Sequence, residues 1–274
     1  MALIKSNIVP NGATAYELKQ SLRFNDGDNP HLGWTPTSAG NTKTHTFSCW
    51  VKRTETGVMN SIFAVRSSGS DRGYYAIYND KFYTYNTASG DKLEGYGSAL
   101  MRDPTAWYHI VAVLDTTQST GSNRFKLYLN GVQQTFTYGV TPSQNDDLPI
   151  NKAGIHYLGS QNSASEQDLD GYLAEVNFID GQALTPADFG ETGDYGEWKP
   201  IKYEGSFGNN GFYLPFKQDY TVEGFSTVTY KGNGATQYIG GTGFQPGMTW
   251  SKGRDYAEAH TIFDSVRGNQ KRLY

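Results

Sequence analysis

The sequence predicts an all-β protein in which two antiparallel sheets pack face to face as a sandwich. Its 274 residues include 32 Gly for tight turns, and aromatic residues, which favour strands, make up 14% of the chain. Short stretches of alternating apolar and polar side chains follow one another between Gly-, Asn-, Asp- and Ser-rich loops, and long helix-forming runs are missing from the sequence. A chain of this length can bury a sizeable core.

The predicted strands are short and lie mostly in the first two thirds of the chain. Residues 43–53 alternate strictly, with Phe47, Cys49 and Val51 on one side. Residues 107–115 are the most continuously apolar run, which indicates a central strand covered on both faces. The full predicted set is 21–24, 43–53, 61–66, 74–78, 81–85, 107–115, 124–129, 132–136, 155–159 and 172–179.

Two hairpins are predicted from turn chemistry. Asn79-Asp80 separates two aromatic strands, and Asn130-Gly131 separates residues 124–129 from 132–136. Both positions of a two-residue hairpin turn require positive φ, which Asn, Asp and Gly tolerate best. These dipeptides therefore fix where the chain reverses.

Residues 170–190 combine a strand, a turn and a helical start. Strict alternation from residue 172 to 179 would place Tyr172, Ala174, Val176 and Phe178 on one face and Leu173, Glu175, Asn177 and Ile179 on the other. Asp180-Gly181 supplies the turn. The residues that follow are typical of the start of a helix, with Thr185 as the N-cap, Pro186 at the first helical position and Asp188 as an acid in the first turn. Gly190 is a suitable residue to end this helical turn.

Charge and cysteine content limit the partners and the compartment. The formal net charge is −4 and the pI is near 5.7, so nucleic acid and anionic membranes are not expected partners. We expect no signal peptide and no membrane-spanning segment. Cys49, the single cysteine, is expected to be a small core residue rather than a reactive thiol. The lack of disulfides fits synthesis in a reducing cytoplasm.

Three regions are expected along the chain. Residues 1–20 form an N-terminal arm, residues 21–216 form the sandwich, and residues 217–274 form a small β-rich C-terminal appendage. The appendage is too short to bury its own core. It therefore docks on the sandwich, begins a second module, or pairs with another subunit; residues 256–267 fit either a helix or a strand.

Several motifs in order resemble one family of β-sandwiches. They are SLRFNDGDN at 21–29, HTFSCWVKR at 45–53, WYHIVAVLDTT at 107–117, RFKLYLNGV at 124–132 and DGYLAEVNFIDGQALTPADF at 170–189. Together they are similar to laminin-G-like, concanavalin A-like jelly-roll domains. This resemblance covers about residues 20–216 and implies a jelly-roll topology for the sandwich.

A narrower resemblance suggests a biological setting. GEWKPIKYEGSFGNNGFYLPF at 196–216, and residues 232–273, resemble segments of virion proteins from tailed bacteriophages. This resemblance implies a non-enzymatic virion protein, such as a tail fibre or adhesin that attaches to a host-surface glycan. It also implies assembly in the host cytoplasm, as a homo-oligomer that contacts other virion subunits. The alternative is a capsid decoration or tail connector with a purely structural role.

Catalytic chemistry is expected least. A glycan-degrading jelly roll needs two carboxylates on one strand, whereas residues 172–179 carry Glu175 alone. The five histidines are scattered without metal-ligand spacing, and no nucleophile elbow or phosphate loop is present in the sequence. The sequence therefore assigns no catalytic residue.

Two groups of residues have chemistry suited to ligand binding. Asp26, Asp28 and Asp170 offer hard oxygen ligands for Ca²⁺, as in related jelly rolls, although turn formation explains such acids as well. No cofactor is assigned on this basis. The side chains with chemistry suited to carbohydrate are Trp34, Tyr96, Tyr138, Tyr157, Asn145, Asp146 and Asp147. Because aromatic residues also fill ordinary strand faces, no sugar-binding residue is assigned.

Overall fold

The computed structural model describes residues 16–68, 70–162, 167–217, 224–235, 237–239, 244–255, 257 and 259–266. Within these ranges the chain forms strands and three single-turn 3₁₀ helices, Asp26–Asp28, Gly121–Asn123 and Pro186–Asp188. No helix in the described part of the chain is long and apolar enough to cross a membrane. The chain divides into two compact units, Met1–Lys217 and Gln218–Tyr274.

The first unit is a sandwich of two seven-stranded antiparallel sheets, as the sequence predicts. The back sheet has the order β1-β13-β3-β8-β9-β10, with β16 also paired to β13. Its strands are β1 (Leu22–Phe24), β3 (Thr44–Arg53), β8 (Tyr108–Asp115), β9 (Phe125–Leu129), β10 (Val132–Gln133), β13 (Gly171–Asp180) and β16 (Phe212–Leu214).

The front sheet has the order β11-β7-β6-β5-β4-β12-β2. Its strands are β2 (Leu32–Trp34), β4 (Asn60–Arg66), β5 (Asp71–Tyr78), β6 (Lys81–Ala88), β7 (Asp91–Gly97), β11 (Phe136–Val140) and β12 (Ile155–Leu158).

The main core fills the space between the two sheets. Alternate residues of each strand point inward, so that Phe47 of β3 stacks on Phe63 of β4 with ring centroids 4.9 Å apart. Tyr75 of β5 and Phe178 of β13 contact the same cluster. This burial of apolar surface from both sheets is the main force holding the layers together.

A second apolar cluster covers the outer face of the back sheet. Val111 and Val113 of β8 and Ile179 of β13 pack there beneath Phe189 and Tyr203. The covering segment includes a two-stranded sheet of β14 (Gly190–Thr192) and β15 (Trp198–Pro200). The back sheet is therefore apolar on both faces, which explains the continuous apolar run through β8.

Both hairpin predictions are confirmed. Asn79 and Asp80 have φ of 49° and 62°, Asn130 and Gly131 have 48° and 79°, and the flanking residues pair across each turn. The predicted start at Thr185 is also confirmed, because its backbone N–H donates to Asp188 Oδ2 at 2.8 Å.

The structure corrects two details of the predicted strands. Leu173, Val176 and Phe178 all contact the main core, which strict alternation does not allow. A β-bulge between Ala174 and Asn177, in which Glu175 has φ of 48°, shifts the phase of β13 by one residue. The predicted strand 132–136 is wrong, because the chain leaves the back sheet after Gln133 and enters the front sheet at Phe136.

Other elements carry no strong sequence signal. Strands β2 and β7 were not predicted, since Gly33, Gly95 and Gly97 interrupt their patterns. The single helical turn Pro186–Asp188 ends before Gly190, in agreement with the predicted stop, and Gly190 itself begins β14. In the second unit, β17 (Met248–Ser251) pairs with β18 (Thr261–Asp264), which decides the ambiguous segment in favour of a strand.

Candidate functional site

Five tyrosines share the outer face of the front sheet. Inward residues of β5 and β6 enter the core, so the intervening side chains point away from it. Tyr74 lies opposite Tyr85, and Tyr83 lies opposite Tyr96 on β7. We define the tyrosine face as Tyr74, Tyr78, Tyr83, Tyr85 and Tyr96. These residues are half-buried or exposed, with Tyr78 at 45% and Tyr96 at 43% exposure.

The rings of the tyrosine face contact one another. The Tyr74 ring centroid lies 6.0 Å from that of Tyr83 and 5.8 Å from that of Tyr85, and Tyr78 lies 5.7 Å from Tyr83. Contacting rings on a regular sheet have little freedom to reorient. The face is therefore a preformed aromatic surface.

Carboxylates hold two of the tyrosine hydroxyls. Tyr83 Oη donates to Glu94 Oε1 at 2.8 Å, and Tyr85 Oη donates to Asp91 Oδ1 at 2.5 Å. Burial, assisted by the Glu94 carboxylate, raises the pKa of the Tyr83 hydroxyl. The hydrogen bond to Asp91 is the main cause that raises the pKa of Tyr85. Both hydroxyls therefore remain protonated donors at neutral pH.

Two cations lie over rings of this face. The Arg72 guanidinium carbon is 5.7 Å from the Tyr85 centroid, and the Lys81 ammonium is 5.2 Å from the Tyr96 centroid. The face thus offers ring surfaces, hydroxyls, carboxylates and cations within one patch. Small polar molecules with apolar C–H faces, such as sugars, match this combination of groups.

A polar cleft opens at the rim of the sandwich, where β5 begins and β6 ends. Its volume is about 440 Å³. We define the polar rim cleft by its lining residues Ser68, Ser70, Asp71, Ala88, Ser89, Lys92, Asn145, Asp146, Asp147 and Lys152. Hydroxyls, amides, ammonium groups and carboxylates dominate this list, so the cleft suits a hydrogen-bonding ligand.

Ion pairs organise the cleft walls. Lys92 Nζ lies 3.1 Å from Asp146 Oδ1, and Lys152 Nζ lies 2.9 Å from Asp71 Oδ2. Asp147 Oδ1 accepts a hydrogen bond from Thr42 Oγ1 at 2.5 Å. These contacts position charged groups at the cleft before any ligand arrives.

The residues with suitable chemistry for carbohydrate lie in four separate places. Tyr96 belongs to the tyrosine face, and Asn145, Asp146 and Asp147 line the polar rim cleft. Tyr157 points outward from the front sheet but is only 5% exposed. The other two aromatic side chains, Trp34 and Tyr138, pack against the main core.

Sequence reasoning missed most of the tyrosine face. The signal was present, because Tyr74, Tyr78, Tyr83 and Tyr85 flank the predicted Asn79-Asp80 turn at even spacings within each strand. Writing out the register of that hairpin would have placed all four on one face. The position of Tyr96 beside Tyr83 required knowledge of β7.

The three acids considered as possible calcium ligands, Asp26, Asp28 and Asp170, lie in loops beside β1 and β13. Among the described residues, no three His, Cys, Asp or Glu side chains are grouped as metal ligands. Asp26 and Asp28 belong to a 3₁₀ turn, where Asp28 accepts from Asn25 Nδ2 at 2.6 Å, and Asp170 lies 3.6 Å from Arg23. The nearby Asp168 is 7% exposed, and burial raises the pKa of its carboxyl.

One serine–histidine pair resembles a catalytic dyad but cannot act as one. Ser48 Oγ lies 2.9 Å from His109 Nε2, and both residues are 1% exposed. Trp198 Nε1 donates to His109 Nδ1 at 2.9 Å, so Nδ1 is the acceptor and the neutral ring carries its proton on Nε2. Nε2 therefore donates to Ser48 and has no lone pair with which to accept the serine proton.

Glu175 and Cys49 are likewise occupied or enclosed. The Glu175 carboxylate accepts hydrogen bonds from the Tyr16 hydroxyl and, at 2.6 Å, from the Tyr213 hydroxyl. Burial is the larger cause, and the hydrogen bond to Glu175 the smaller one, that raise the pKa of the Tyr16 hydroxyl to about 12. Cys49 is fully buried, and burial raises the pKa of its thiol. These contacts give Glu175 a role in tying residue 16 to the back sheet.

Comparison with known families identifies the sandwich. The family model of the concanavalin A-like lectin/glucanases superfamily matches residues 26–189, more than half of the chain. The chain belongs to the concanavalin A-like lectin/glucanases superfamily. This superfamily domain contains the tyrosine face and the polar rim cleft. A second model, a domain of unknown function (DUF7483), matches residues 221–274.

Several solved structures are similar to the superfamily domain. A native heptameric SAP-like pentraxin from Limulus polyphemus has 19% identity and a TM-score of 0.46, covering 62% of this chain and 80% of that one. The sialidase CBM40 from Ruminococcus gnavus, bound to α2,3 sialyllactose, has 12% identity and a TM-score of 0.43, covering 62% and 93%. A carbohydrate binding protein from Bacteroides ovatus, described as putative, has 16% identity and a TM-score of 0.41, covering 57% and 43%. No curated protein matches the chain.

Proposed function

We propose that this protein is a non-catalytic carbohydrate-binding component whose tyrosine face contacts the glycan. The single observation that carries the proposal is a preformed patch of contacting, half-exposed tyrosines on the front sheet. The opposite outer face is covered by the second apolar cluster, so it presents less open sheet surface. Membership of a superfamily that includes lectins agrees with this function.

The chemistry of the face explains how a sugar would bind. The C–H face of a pyranose ring packs against an aromatic ring and releases water from both surfaces. The Glu94 and Asp91 carboxylates, already oriented by Tyr83 and Tyr85, accept hydrogen bonds from sugar hydroxyls. Because these groups are positioned beforehand, little conformational entropy is lost on binding.

The proposed biological role is attachment within a tailed-phage virion. It rests on the resemblance of residues 196–216 and 232–273 to virion proteins, and places the sandwich on a tail fibre or adhesin that binds a host-surface glycan. In that role the chain would assemble as a homo-oligomer with other virion subunits. A rigid sheet that presents one binding face suits such a display function.

A structural role as capsid decoration or tail connector is the second candidate. The described residues of the C-terminal unit expose large apolar side chains, including Trp250 at 65%, Phe225 at 63% and Met248 at 61%. Exposed apolar groups of this kind mark surfaces that contact other proteins. A subunit that binds virion partners but no glycan would fit this role.

Glycan binding is tested with the full-length protein on a panel of immobilised glycans and on intact host cells. Tyr83→Ala and Tyr85→Ala should abolish binding, since each removes a ring and a held hydroxyl. Tyr195→Ala is the matched control, because Tyr195 is 96% exposed on the β14–β15 loop, away from the tyrosine face. Absence of binding to every glycan and cell would favour the connector role.

A further inference from the structure

We infer that the tyrosine face binds an acidic glycan, whose carboxylate or sulfate group is held by two arginines, Arg66 and Arg72, at one end of the face. This inference rests on the proposed function and specifies the class of glycan. Arg66 is the last residue of β4, and Arg72 is the second residue of β5. Both residues are exposed, and they lie directly opposite each other across the two strands.

Both arginines lie on the same side of the front sheet as the tyrosines. Val65 of β4 belongs to the main core, so its neighbour Arg66 points to the outer face. Arg72 and Tyr74 are two residues apart on β5 and therefore share that face. The guanidinium carbon of Arg72 stands 5.7 Å from the centroid of the Tyr85 ring, which confirms its direction. The arginine pair therefore lies beside Tyr74 and Tyr85 on one sheet surface.

The two guanidinium groups form a pair of like charges. Directly opposite residues of antiparallel strands have Cβ atoms about 4.5–5.5 Å apart, and like charges at such positions destabilise a sheet. The next residues in the same row, Ile155 beside Arg66 and Thr87 beside Arg72, carry no charge. Within the described part of the chain, neither guanidinium has a carboxylate oxygen within 4.0 Å.

A bound oxyanion would relieve the repulsion between these two arginines. The planar guanidinium group presents N–H donors in a fork that matches a carboxylate or a related oxyanion. An anion between Arg66 and Arg72 would accept hydrogen bonds from both side chains and neutralise part of their charge. The cross-strand arginine pair therefore has the chemistry of an anion-binding site.

The carboxylates of the tyrosine face lie on another strand. Asp91 and Glu94 belong to β7, which is two strand spacings from β5 and three from β4, about 10 Å and 14 Å. Both carboxylates already accept a tyrosine hydroxyl. The face is thus cationic on its β4–β5 side and acidic on its β7 side. A bound sugar would turn its anionic group toward the arginines and its hydroxyls toward β7.

Ring contacts and charge contacts together select a sugar that carries an anion. The rings of Tyr74 and Tyr85 offer apolar surface to the C–H face of a sugar. A free inorganic anion would contact the arginine pair without using the rings, and a neutral sugar would use the rings without the arginine pair. A glycan with a uronate or sulfate group uses both, so it should bind more tightly than its neutral counterpart.

The experiment compares matched acidic and neutral glycans by isothermal titration calorimetry with the full-length protein. The first pair is the α1,4-galacturonate trimer and its fully methyl-esterified form, and the second pair is 3′-sulfolactose and lactose. We expect the acidic member of at least one pair to bind about tenfold more tightly, the gain expected for hydrogen bonds to charged groups. This gain should shrink as the NaCl concentration is raised. The two pairs distinguish a carboxylate from a sulfate ligand.

Variants assign the acidic preference to the arginine pair. Arg66→Gln should remove the roughly tenfold preference for the acidic member and leave the affinity for the neutral member unchanged. Arg66→Lys keeps the charge but loses the guanidinium fork, so it should retain part of the preference. Arg23→Gln is the matched control, because Arg23 is an exposed arginine on β1 of the back sheet. Thermal melts verify that each variant is folded.

The outcomes separate this inference from the proposed function. If no glycan binds, acidic or neutral, the proposed function fails and the inference fails with it. If glycans bind but the neutral member of each pair binds as tightly as the acidic one, only the acidic specificity is overturned. It is also overturned if Arg66→Gln keeps the full preference, if it weakens both members equally, or if Arg23→Gln reduces the preference as much.

Discussion

At the scale of single residues, three buried histidines make the stability of the sandwich depend on pH. His45, His109 and His156 are each at most 1% exposed. Burial lowers the pKa of His45 and His109 to about 3 and that of His156 to about 4. Each ring therefore stays neutral inside the fold and serves as a hydrogen-bonding group, as His45 does at 2.7 Å from the Tyr75 hydroxyl.

The histidines predict that the fold is sensitive to acid. In the unfolded chain each histidine takes up a proton near its ordinary pKa of about 6.5. In the folded protein the rings take up a proton only near pH 3 to 4. The free energy of unfolding is therefore highest above about pH 6.5 and decreases as the pH falls below that value. The loss should reach about 2 kcal/mol per histidine at pH 5. Urea unfolding between pH 7 and pH 5 measures it, and His109→Gln should reduce the slope. Equal stability at both pH values would contradict the buried, neutral rings.

At the scale of elements, the β5–β6 hairpin is anchored to the back sheet through its turn. Arg53, at the end of β3, has a side chain that is 1% exposed and lies 3.0 Å from Asp80 Oδ1. The pKa of the Asp80 carboxyl is held below its usual range, mainly by the hydrogen bond from the Gly57 backbone N–H and to a smaller extent by Arg53 and Arg102. The hairpin that carries four of the five site tyrosines is therefore fixed at its tip by a buried charge.

Asp80→Asn should destabilise the protein by about 3 kcal/mol, because it leaves the Arg53 guanidinium buried without a counter-charge. Asparagine is chosen because it also tolerates the positive φ that this turn position requires. Glu191→Gln, at an ion pair whose side chains are 35% and 55% exposed, should cost less than about 1 kcal/mol. Urea unfolding at pH 7 compares the two. Similar small losses for both variants would show that Arg53 finds another partner.

The bulge in β13 is an element that sequence alone does not reveal. Apolar and polar residues alternate regularly in the sequence of β13, yet Glu175 adopts a positive φ. Its carboxylate accepts hydrogen bonds from the hydroxyls of Tyr16 and Tyr213. Those partners lie far away in the chain, so local patterning carries no sign of them. The same bulge lets Val176 and Phe178 reach the core together with Leu173.

At the scale of the whole molecule, the sandwich contains its own cores. Both apolar clusters consist of residues from the first unit, Met1–Lys217. The described part of the second unit forms the β17–β18 hairpin, and two strands alone bury little apolar surface. The stability of the carbohydrate-binding candidate should therefore not depend on the C-terminal unit.

A chain truncated after Lys217 should fold with a melting temperature close to that of the full-length protein and keep any glycan affinity. The physical reason is that truncation removes no member of either core cluster. Differential scanning calorimetry of the two chains is the measurement, with circular dichroism as the control for β content. An unfolded or strongly destabilised truncated chain would contradict the boundary expected near residue 217.

The sequence by itself determined the fold class, both two-residue hairpins and the doubly covered strand β8, because turn residues and apolar periodicity act through local backbone geometry. The tertiary structure alone decided the bulge at Glu175, the crossing between sheets after Gln133, and the assembly of the tyrosine face and polar rim cleft. Those features depend on contacts between residues distant in the chain. No local pattern specifies which strand becomes the neighbour of which, or which loops meet at the rim.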